Sequence, residues 1–292
     1  MSYSDLAGYA AYFLVLLLGL SVGSFLNVVI YRLPREGLSI TKPSRSFCPA
    51  CQAHIHWYDN IPVLSWLFLR ARCRHCGRAI SARYPLVEMA AGLLAVYLWH
   101  RYSPSIPGFL FHFYFVMCLL AIALIDLELM VIPDHLTYPA GALALVSAVV
   151  EPSVFLSGPW LWNMVEPALG PRIASLAGSV LGLLLGWGSL KLVSVGYKMA
   201  RGVEGMGDGD PPLMGMIGAF LGWRAVPLVI LWSTLIGLFS VGVLMAASKG
   251  KPPEEGWGQK ALPFGPFLVL AALLYLFFGP AFLNWYWSLS AV

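Results

Sequence analysis

Long uninterrupted apolar segments are the feature of this sequence that most restricts its fold. A helix of about 20 apolar residues crosses the hydrocarbon core of a bilayer. A transmembrane β-barrel would instead show short segments of alternating polarity. The apolar segments lie near residues 9–31, 84–100, 109–126, 136–150, 173–196, 211–223, 225–247 and 262–283. We therefore predict an all-α polytopic membrane protein with about eight transmembrane helices, of which 136–150 and 211–223 are the shortest.

Composition supports the same class of protein. Of the 292 residues, 59% are hydrophobic and 11% are charged, whereas soluble domains carry about 25% charged residues. An ordinary soluble domain and a disordered chain are therefore both excluded. The first apolar segment has no Lys or Arg before it and no small-residue cleavage site after it, so we expect it to be retained as an anchor.

The basic residues are concentrated in three of the connections between apolar segments. Residues 32–83 hold nine of the 18 Lys and Arg, and the connections after the fifth and seventh segments hold five more. Cytoplasmic loops of membrane proteins are enriched in Lys and Arg. The eight-helix arrangement therefore predicts that these three loops are cytoplasmic and that both termini are periplasmic. This bias accounts for the positive charge without a nucleic-acid partner.

The largest polar insertion, 32–83, contains two cysteine pairs, Cys48-Pro-Ala-Cys51 and Cys73-Arg-His-Cys76. Two CxxC pairs can supply four tetrahedral sulfur ligands to zinc. About fifty residues rarely form a sufficient hydrophobic core without such a staple. We predict a structural Zn²⁺ here; a pair of disulfides is the less favoured alternative in a reducing cytosol, and a redox dithiol is a third. The predicted domains are a first transmembrane helix (1–31), a zinc domain (32–83) and a transmembrane core (84–292).

Acidic residues at the edges of membrane helices are candidates for a functional site. Asp126 ends an apolar segment and has no helix-capping role, whereas Asp134 follows a proline and can cap a helix. A second cluster contains Glu204, Asp208 and Asp210 among glycines. Two carboxylates brought together share one proton, so that one can accept a proton from water while the other polarises a peptide carbonyl. An aspartic protease and a proton- or ion-coupled transporter both use such a pair.

Several motifs together carry a resemblance to a known family. They are GSFLNVVIYRLP (23–34), CPACQAHIHWYDNIPVLSWL (48–67), RCRHCGRAISARYPLVE (72–88), IDLELMVIPDHLTYP (125–139), EGMGDGDPPLMGMIGAFLGW (204–223) and PFGP (263–266). The sequence resembles the type IV prepilin peptidases, the bifunctional leader peptidases and N-methyltransferases of type IV pilus and type II secretion systems. The resemblance covers nearly the whole chain.

This resemblance implies the fold of a GxGD intramembrane aspartic protease, with Asp126 as one catalytic residue. Both Asp208 and Asp210 fit the GxGD pattern. In the family a Gly-Ala pair follows the catalytic aspartate by eight residues, and Gly218-Ala219 lies eight residues after Asp210 and ten after Asp208. The resemblance therefore implies that Asp126 and Asp210 are the catalytic pair.

The resemblance also implies the reaction and its partners. Asp126 and Asp210 would cut the basic leader from prepilins or pseudopilins at the cytoplasmic face of the bacterial inner membrane, and the new N-terminus would be methylated from S-adenosylmethionine. Two positions depart from the family pattern: Pro212 stands where a lysine is usual, and Ala71 where a glycine is usual. A zinc-stabilised membrane scaffold without activity is a further alternative, which requires Asp126 and Asp210 to lie far apart.

Overall fold

A computed structural model describes residues 3–43, 45–152, 159–203, 205–247 and 263–290. Over these ranges the secondary structure is helical, apart from two isolated β-bridges near the cysteines. The helices are α1 (Tyr3–Arg32), a 3₁₀ helix (Trp57–Asn60), α2 (Leu64–Phe68), α3 (Arg83–Tyr102), α4 (Ile106–Leu129), α5 (Asp134–Val150), α6 (Pro159–Arg201), α7 (Asp210–Leu221), α8 (Ala225–Ala247) and α9 (Gly265–Ser290).

The prediction of an all-α polytopic membrane protein is confirmed, whereas the count of eight membrane-spanning helices is not. Among the helices of the described residues, five are long and apolar enough to cross a bilayer: α1, α4, α6, α8 and α9. The three other predicted segments form α3, α5 and α7. The 12 residues of α7 extend about 18 Å, which is less than the hydrocarbon thickness of about 30 Å.

The chain forms two compact units, Met1–Met117 and Cys118–Val292. In the first unit, small residues allow α1 and α3 to approach closely. A methyl group on Gly19 would lie 2.6 Å from the Ala95 Cβ, and one on Gly23 would lie 2.7 Å from the Glu88 Cα. Gly19 and Gly23 are thus a GxxxG pair, the spacing by which membrane helices commonly pack.

The end of α1 holds the chain that follows it through one buried arginine. Arg32 is 4% exposed, and its guanidinium donates hydrogen bonds of 2.8–3.3 Å to four backbone carbonyls: those of Ser39, Ile40, Pro43 and Arg45. The guanidinium also lies 5.4 Å from the centre of the Phe47 ring. Arg32 therefore folds the start of the 32–83 insertion back against the helix end.

In the second unit, α7 packs against α6 with backbone touching backbone. A methyl group on Gly182 of α6 would overlap the carbonyl of Gly218 in α7, and one on Gly186 would overlap the carbonyl of Met214. The hydroxyl of Ser179 donates a 2.7 Å hydrogen bond to the Ala219 carbonyl. Because ten of the 12 residues of α7 are buried, this short helix is fixed mainly by its neighbours within the protein.

Part of the connection between the fourth and fifth apolar segments is helical. Residues 159–169 lie outside the predicted apolar segments, yet they belong to α6, which has a kink at Gly170, where φ is 75°. The structure does not describe 153–158, 248–262 or Glu204. Three of the basic residues used to predict the cytoplasmic side, Lys249, Lys251 and Lys260, therefore lie outside the described residues.

The glycine contact between α6 and α7 predicts the effect of a single added methyl group. We expect Gly182→Ala to lower the stability of the protein by about 1–3 kcal/mol, the usual cost of overpacking. Gly188→Ala is the matched control, because Gly188 lies in the same helix with no neighbour within 4 Å of its added methyl group. Thermal unfolding in detergent measures both; equal midpoints would contradict the described packing.

Candidate active site and metal centre

The two predicted aspartates are brought together in the second unit. Asp126 lies in the last turn of α4, and Asp210 is the first residue of α7. Both side chains are 4% exposed, and they lie close enough for their charges to interact. The inactive scaffold alternative required these residues to lie far apart, and this arrangement disfavours it.

Each carboxylate accepts a hydrogen bond from a glycine N–H. The N–H of Gly265, the first residue of α9, donates to Asp126 Oδ2 at 3.0 Å. The N–H of Gly207 donates to the Asp210 carboxylate, while the Asp210 N–H donates to the Gly207 carbonyl at 3.2 Å. A glycine allows this close approach: a methyl group on Gly265 would lie 2.6 Å from Asp126 Oδ2.

Ile132 lies between the two segments that carry these N–H donors. A methyl group on Gly209 would lie 2.6 Å from the Ile132 Cβ, and one on Gly265 would lie 3.2 Å from the Ile132 Cδ1. On the other side, Gly205 rests on the ring of Tyr197 in α6. The glycine-rich segment before α7 is therefore held between Ile132 and α6.

Two of the other acidic candidates, Asp208 and Asp134, are exposed, and Glu204 lies outside the described residues. Asp208 has a side chain that is 85% exposed and lies 3.7 Å from Lys191 Nζ. Asp134 is exposed and is the first residue of α5, with Pro133 at the N-cap position. Asp134 is therefore not the N-cap residue that the sequence predicted. It lies one residue later, in the first turn, where a negative charge is still favourable. Asp210 likewise follows its N-cap residue, Gly209.

The four cysteine side chains of the first unit form one cluster. Their sulfur atoms all lie within 4.8 Å of one another, and the Cys48 and Cys76 sulfurs are 4.0 Å apart. All four are free thiols. Four converging thiols match the sulfur ligand set of a structural metal site. Among the residues that the structure describes, this is the one group with such an arrangement, and the neighbouring residues His54, His56 and His75 do not belong to it.

The two CxxC segments fold in the same way. In the first, Gln52 N–H donates to the Cys48 carbonyl at 2.8 Å, and Cys48 N–H donates to the Ala53 carbonyl at 2.9 Å. In the second, Gly77 N–H donates to the Cys73 carbonyl at 2.9 Å, and Cys73 N–H donates to the Arg78 carbonyl at 2.8 Å. Gln52 and Gly77 both have positive φ angles, 60° and 68°. Each segment is thus a tight knuckle that turns two sulfurs toward one point.

Local contacts in the second knuckle favour the binding of a cation. The N–H groups of Cys76 and His75 lower the pKa of the Cys73 thiol to about 6, which favours the thiolate form that binds metal. Arg74 makes a two-pronged ion pair with Asp59, with distances of 2.8 and 2.6 Å, and this pair lowers the pKa of Asp59. The ion pair ties the knuckle to the 3₁₀ helix.

Ala71 shows why this position favours glycine. Its φ is 57°, in the left-handed region that costs a residue with a Cβ roughly 1–2 kcal/mol and that glycine adopts freely. The Ala71 carbonyl accepts the Ile80 N–H at 2.7 Å. Ala71 therefore adopts, at a cost, a backbone conformation that a glycine takes without strain.

Comparison with known proteins assigns the two units to one family. Residues 17–102 match the bacterial Peptidase A24 N-terminal domain, and residues 113–242 match the type IV leader peptidase family. The chain belongs to the type IV leader peptidase family. The resemblance drawn from the sequence motifs is thereby confirmed. No solved structure matches the chain.

Curated relatives match over most of this family member's length. A prepilin leader peptidase/N-methyltransferase of Aeromonas salmonicida strain A449 is 37% identical over 299 residues, covering 94% of this chain and 93% of the relative. Proteins with the same name from Burkholderia pseudomallei strain K96243 and Myxococcus xanthus strain DK1622 are 36% and 40% identical. The Burkholderia match covers 91% of this chain and 85% of the relative, and the Myxococcus match covers 86% of this chain and 69% of the relative.

Sequence reasoning missed two residues of the carboxylate site. Gly265 lies 139 residues from Asp126 and appeared only as part of the PFGP motif, with no chemistry of its own. Ile132 appeared only as an apolar residue before Pro133. Gly265 acts through its backbone N–H and Ile132 through its shape. The residue type alone indicates neither role.

The contact between Gly209 and Ile132 can be tested with a double-mutant cycle. We expect Gly209→Ala to lower the thermal midpoint, because its methyl group would overlap the Ile132 Cβ. In the double variant Gly209→Ala/Ile132→Gly, the Ile132 Cβ is absent and the added methyl group has room, so the two effects are less than additive. Strict additivity of the two single changes would contradict the contact.

Proposed function

We propose that this chain is a prepilin leader peptidase and N-methyltransferase of the bacterial inner membrane. The observation that carries the proposal is the buried pair Asp126 and Asp210 in the region that matches the leader peptidase family. The names of the curated relatives support both activities. They do not support the transporter alternative, although a transporter would also use a pair of buried acids.

The peptidase reaction follows from the chemistry of two adjacent carboxyl groups. With one proton between them, the ionised group accepts a proton from water while the protonated group donates a hydrogen bond to the scissile carbonyl. The water oxygen then attacks the carbonyl carbon, and the proton is passed on to the departing amine. The Gly265 and Gly207 N–H groups hold the carboxyl groups in place, so that little reorganisation accompanies the proton transfers.

The position of the site suggests how a substrate reaches it. Asp126 ends the apolar helix α4 and Asp210 begins α7, so the pair lies where a membrane helix meets polar chain. A prepilin would keep its basic leader in the cytoplasm and its apolar segment in the bilayer, with the bond to be cut at the boundary. The excess of Lys and Arg in 32–83 supports a cytoplasmic active face and periplasmic termini.

Zinc is the metal that best fits the cluster of Cys48, Cys51, Cys73 and Cys76. Four thiols without an open position are typical of structural zinc sites rather than catalytic ones. Zinc bound here would hold the 32–83 insertion together as a small domain. The methyl donor would be S-adenosylmethionine. This part of the proposal rests on the N-methyltransferase name that the relatives share.

Removal of either carboxyl charge tests the peptidase. We expect Asp126→Asn and Asp210→Asn each to reduce kcat/KM for leader cleavage by on the order of 10³-fold, because a proton acceptor or donor is lost. Cleavage of a purified prepilin by enzyme in detergent, followed by mass spectrometry of the products, measures the loss.

Two matched controls test the choice of residues. Asp208→Asn removes the other aspartate of the glycine-rich segment, and Asp134→Asn removes the one that opens α5; we expect both to retain most cleavage because both side chains are exposed. Normal processing by Asp210→Asn, or a loss with Asp208→Asn as large as with Asp126→Asn, would overturn the assignment.

Metal analysis tests the zinc site. The purified wild-type protein is expected to carry one zinc per chain, and replacement of Cys48 and Cys73 together by Ser to abolish it. Cys118→Ser is the control, since this buried cysteine belongs to α4 and not to the cluster. We further expect the Cys48/Cys73 variant to lose more methylation than cleavage. Full zinc content in this variant would contradict the ligand assignment.

A further inference from the structure

The segment around α2 folds back alongside the membrane helices of the first unit. Val63, just before α2, donates its N–H to Glu88 Oε2 in α3 at 2.7 Å. The Ser24 hydroxyl of α1 lies beside the same carboxylate, and Ser24 lines one cavity with Asn60 and Pro62. Ser24 lies eight residues before the end of α1 and Glu88 five residues after the start of α3. The backbones of Ser24 and Glu88 are therefore about 12 and 7 Å back from the helix ends, and Val63 lies beside them.

This position lies within the bilayer for any placement of α1. The apolar span of α1 runs from Gly8 to Arg32, which is 25 residues, whereas the hydrocarbon core needs about 20. Every stretch of 20 residues within this span includes Ser24. Because Ser24 and Val63 both lie beside the Glu88 carboxylate, the start of α2 is at the depth of the membrane and not above it.

The backbone around α2 is paired as a membrane environment requires. Polar backbone groups at this depth are tolerated only where the protein satisfies them. The Ile61 N–H donates to Ser65 Oγ at 2.9 Å, and the Ser65 hydroxyl donates to the Tyr58 carbonyl at 3.0 Å. The indole N–H of Trp66 donates to the Ile80 carbonyl at 3.1 Å. The polar groups of this segment thus point inward.

Its apolar side chains point outward. Phe68 is 83% exposed, Leu67 56% and Leu64 50%, while Ser65, on the opposite side of the same helix, is buried. Just before this segment, Trp57 is 81% exposed; tryptophan is enriched where membrane meets water. Exposed arginines follow α2, at positions 70, 72 and 78. An apolar face beside a cluster of positive charge is the pattern of a segment lying in an anionic membrane surface.

We propose that α2 is a re-entrant membrane segment, with Leu64, Leu67 and Phe68 against the acyl chains of one leaflet and the following arginines at anionic phospholipid headgroups. The occupant of this surface is lipid rather than the substrate leader, since a basic leader would be repelled by the arginines. The proposal does not depend on the protease chemistry. It adds a membrane contact to a part of the chain expected to be a cytoplasmic loop.

Photo-crosslinking tests the proposal. The photoreactive residue p-benzoylphenylalanine is placed at Phe68, and as a control at Lys42, which is also exposed in the 32–83 insertion. Each full-length variant is reconstituted in vesicles of phosphatidylcholine and phosphatidylglycerol in equal amounts, irradiated, and analysed by mass spectrometry. We expect severalfold more lipid adduct at position 68 than at 42, with phosphatidylglycerol over-represented in the adducts.

Other outcomes would overturn it. Equal lipid labelling at positions 68 and 42 would place α2 outside the bilayer. Crosslinks from position 68 to a second copy of the chain, or to a co-reconstituted prepilin in place of lipid, would make the surface a protein interface. Equal labelling of both lipids would contradict the role of the arginines. As a second measurement, brominated lipids should quench wild-type tryptophan fluorescence more than that of Trp57→Phe, because Trp57 lies at the interface.

Discussion

The close contact between α6 and α7 is the constraint on which the carboxylate site depends. Because α7 is too short to span a bilayer, the membrane alone cannot fix its depth or direction. Backbone contact at Gly182 and Gly218 does so instead. Since Asp210 is the first residue of α7, its position follows from this glycine packing, while the glycine-rich segment before it is held between Ile132 and α6.

A second regularity is that ionisable groups near the membrane are paired with backbone atoms. Asp126 accepts from the Gly265 N–H, Glu88 accepts from the Val63 N–H, and Arg32 donates to four carbonyls. In an apolar environment an unpaired charge is costly, and these pairs remove that cost while joining distant parts of the chain. The same interactions thus stabilise the buried charges and determine the path of the loops.

The sequence predicted residues whose type implies chemistry. Asp126 and the four clustered cysteines were identified because carboxylates in a membrane and CxxC pairs have few other uses, whereas Asp210 was chosen over Asp208 through the family resemblance. It predicted helices wherever apolar runs were continuous. Its count of eight spans is not confirmed, because a buried helix such as α7 is as apolar as one that faces lipid. Contacts that depend on shape, such as Ile132 against Gly209, carry no signal in composition or spacing. Arg32 was counted only as a basic residue of a cytoplasmic loop, whereas the structure shows that its side chain is buried and bonded to four backbone carbonyls.

The hydrogen bond from Gly265 to Asp126 has a consequence for biosynthesis. A ribosome makes Asp126 first, Asp210 84 residues later, and the Gly265 donor 55 residues after that. The site therefore stays incomplete until the last helix of the described chain has entered the membrane. A nascent chain that lacks α9 has the Asp126 carboxyl group without its backbone donor, so this buried acid gains its hydrogen-bond partner only when the bundle is assembled.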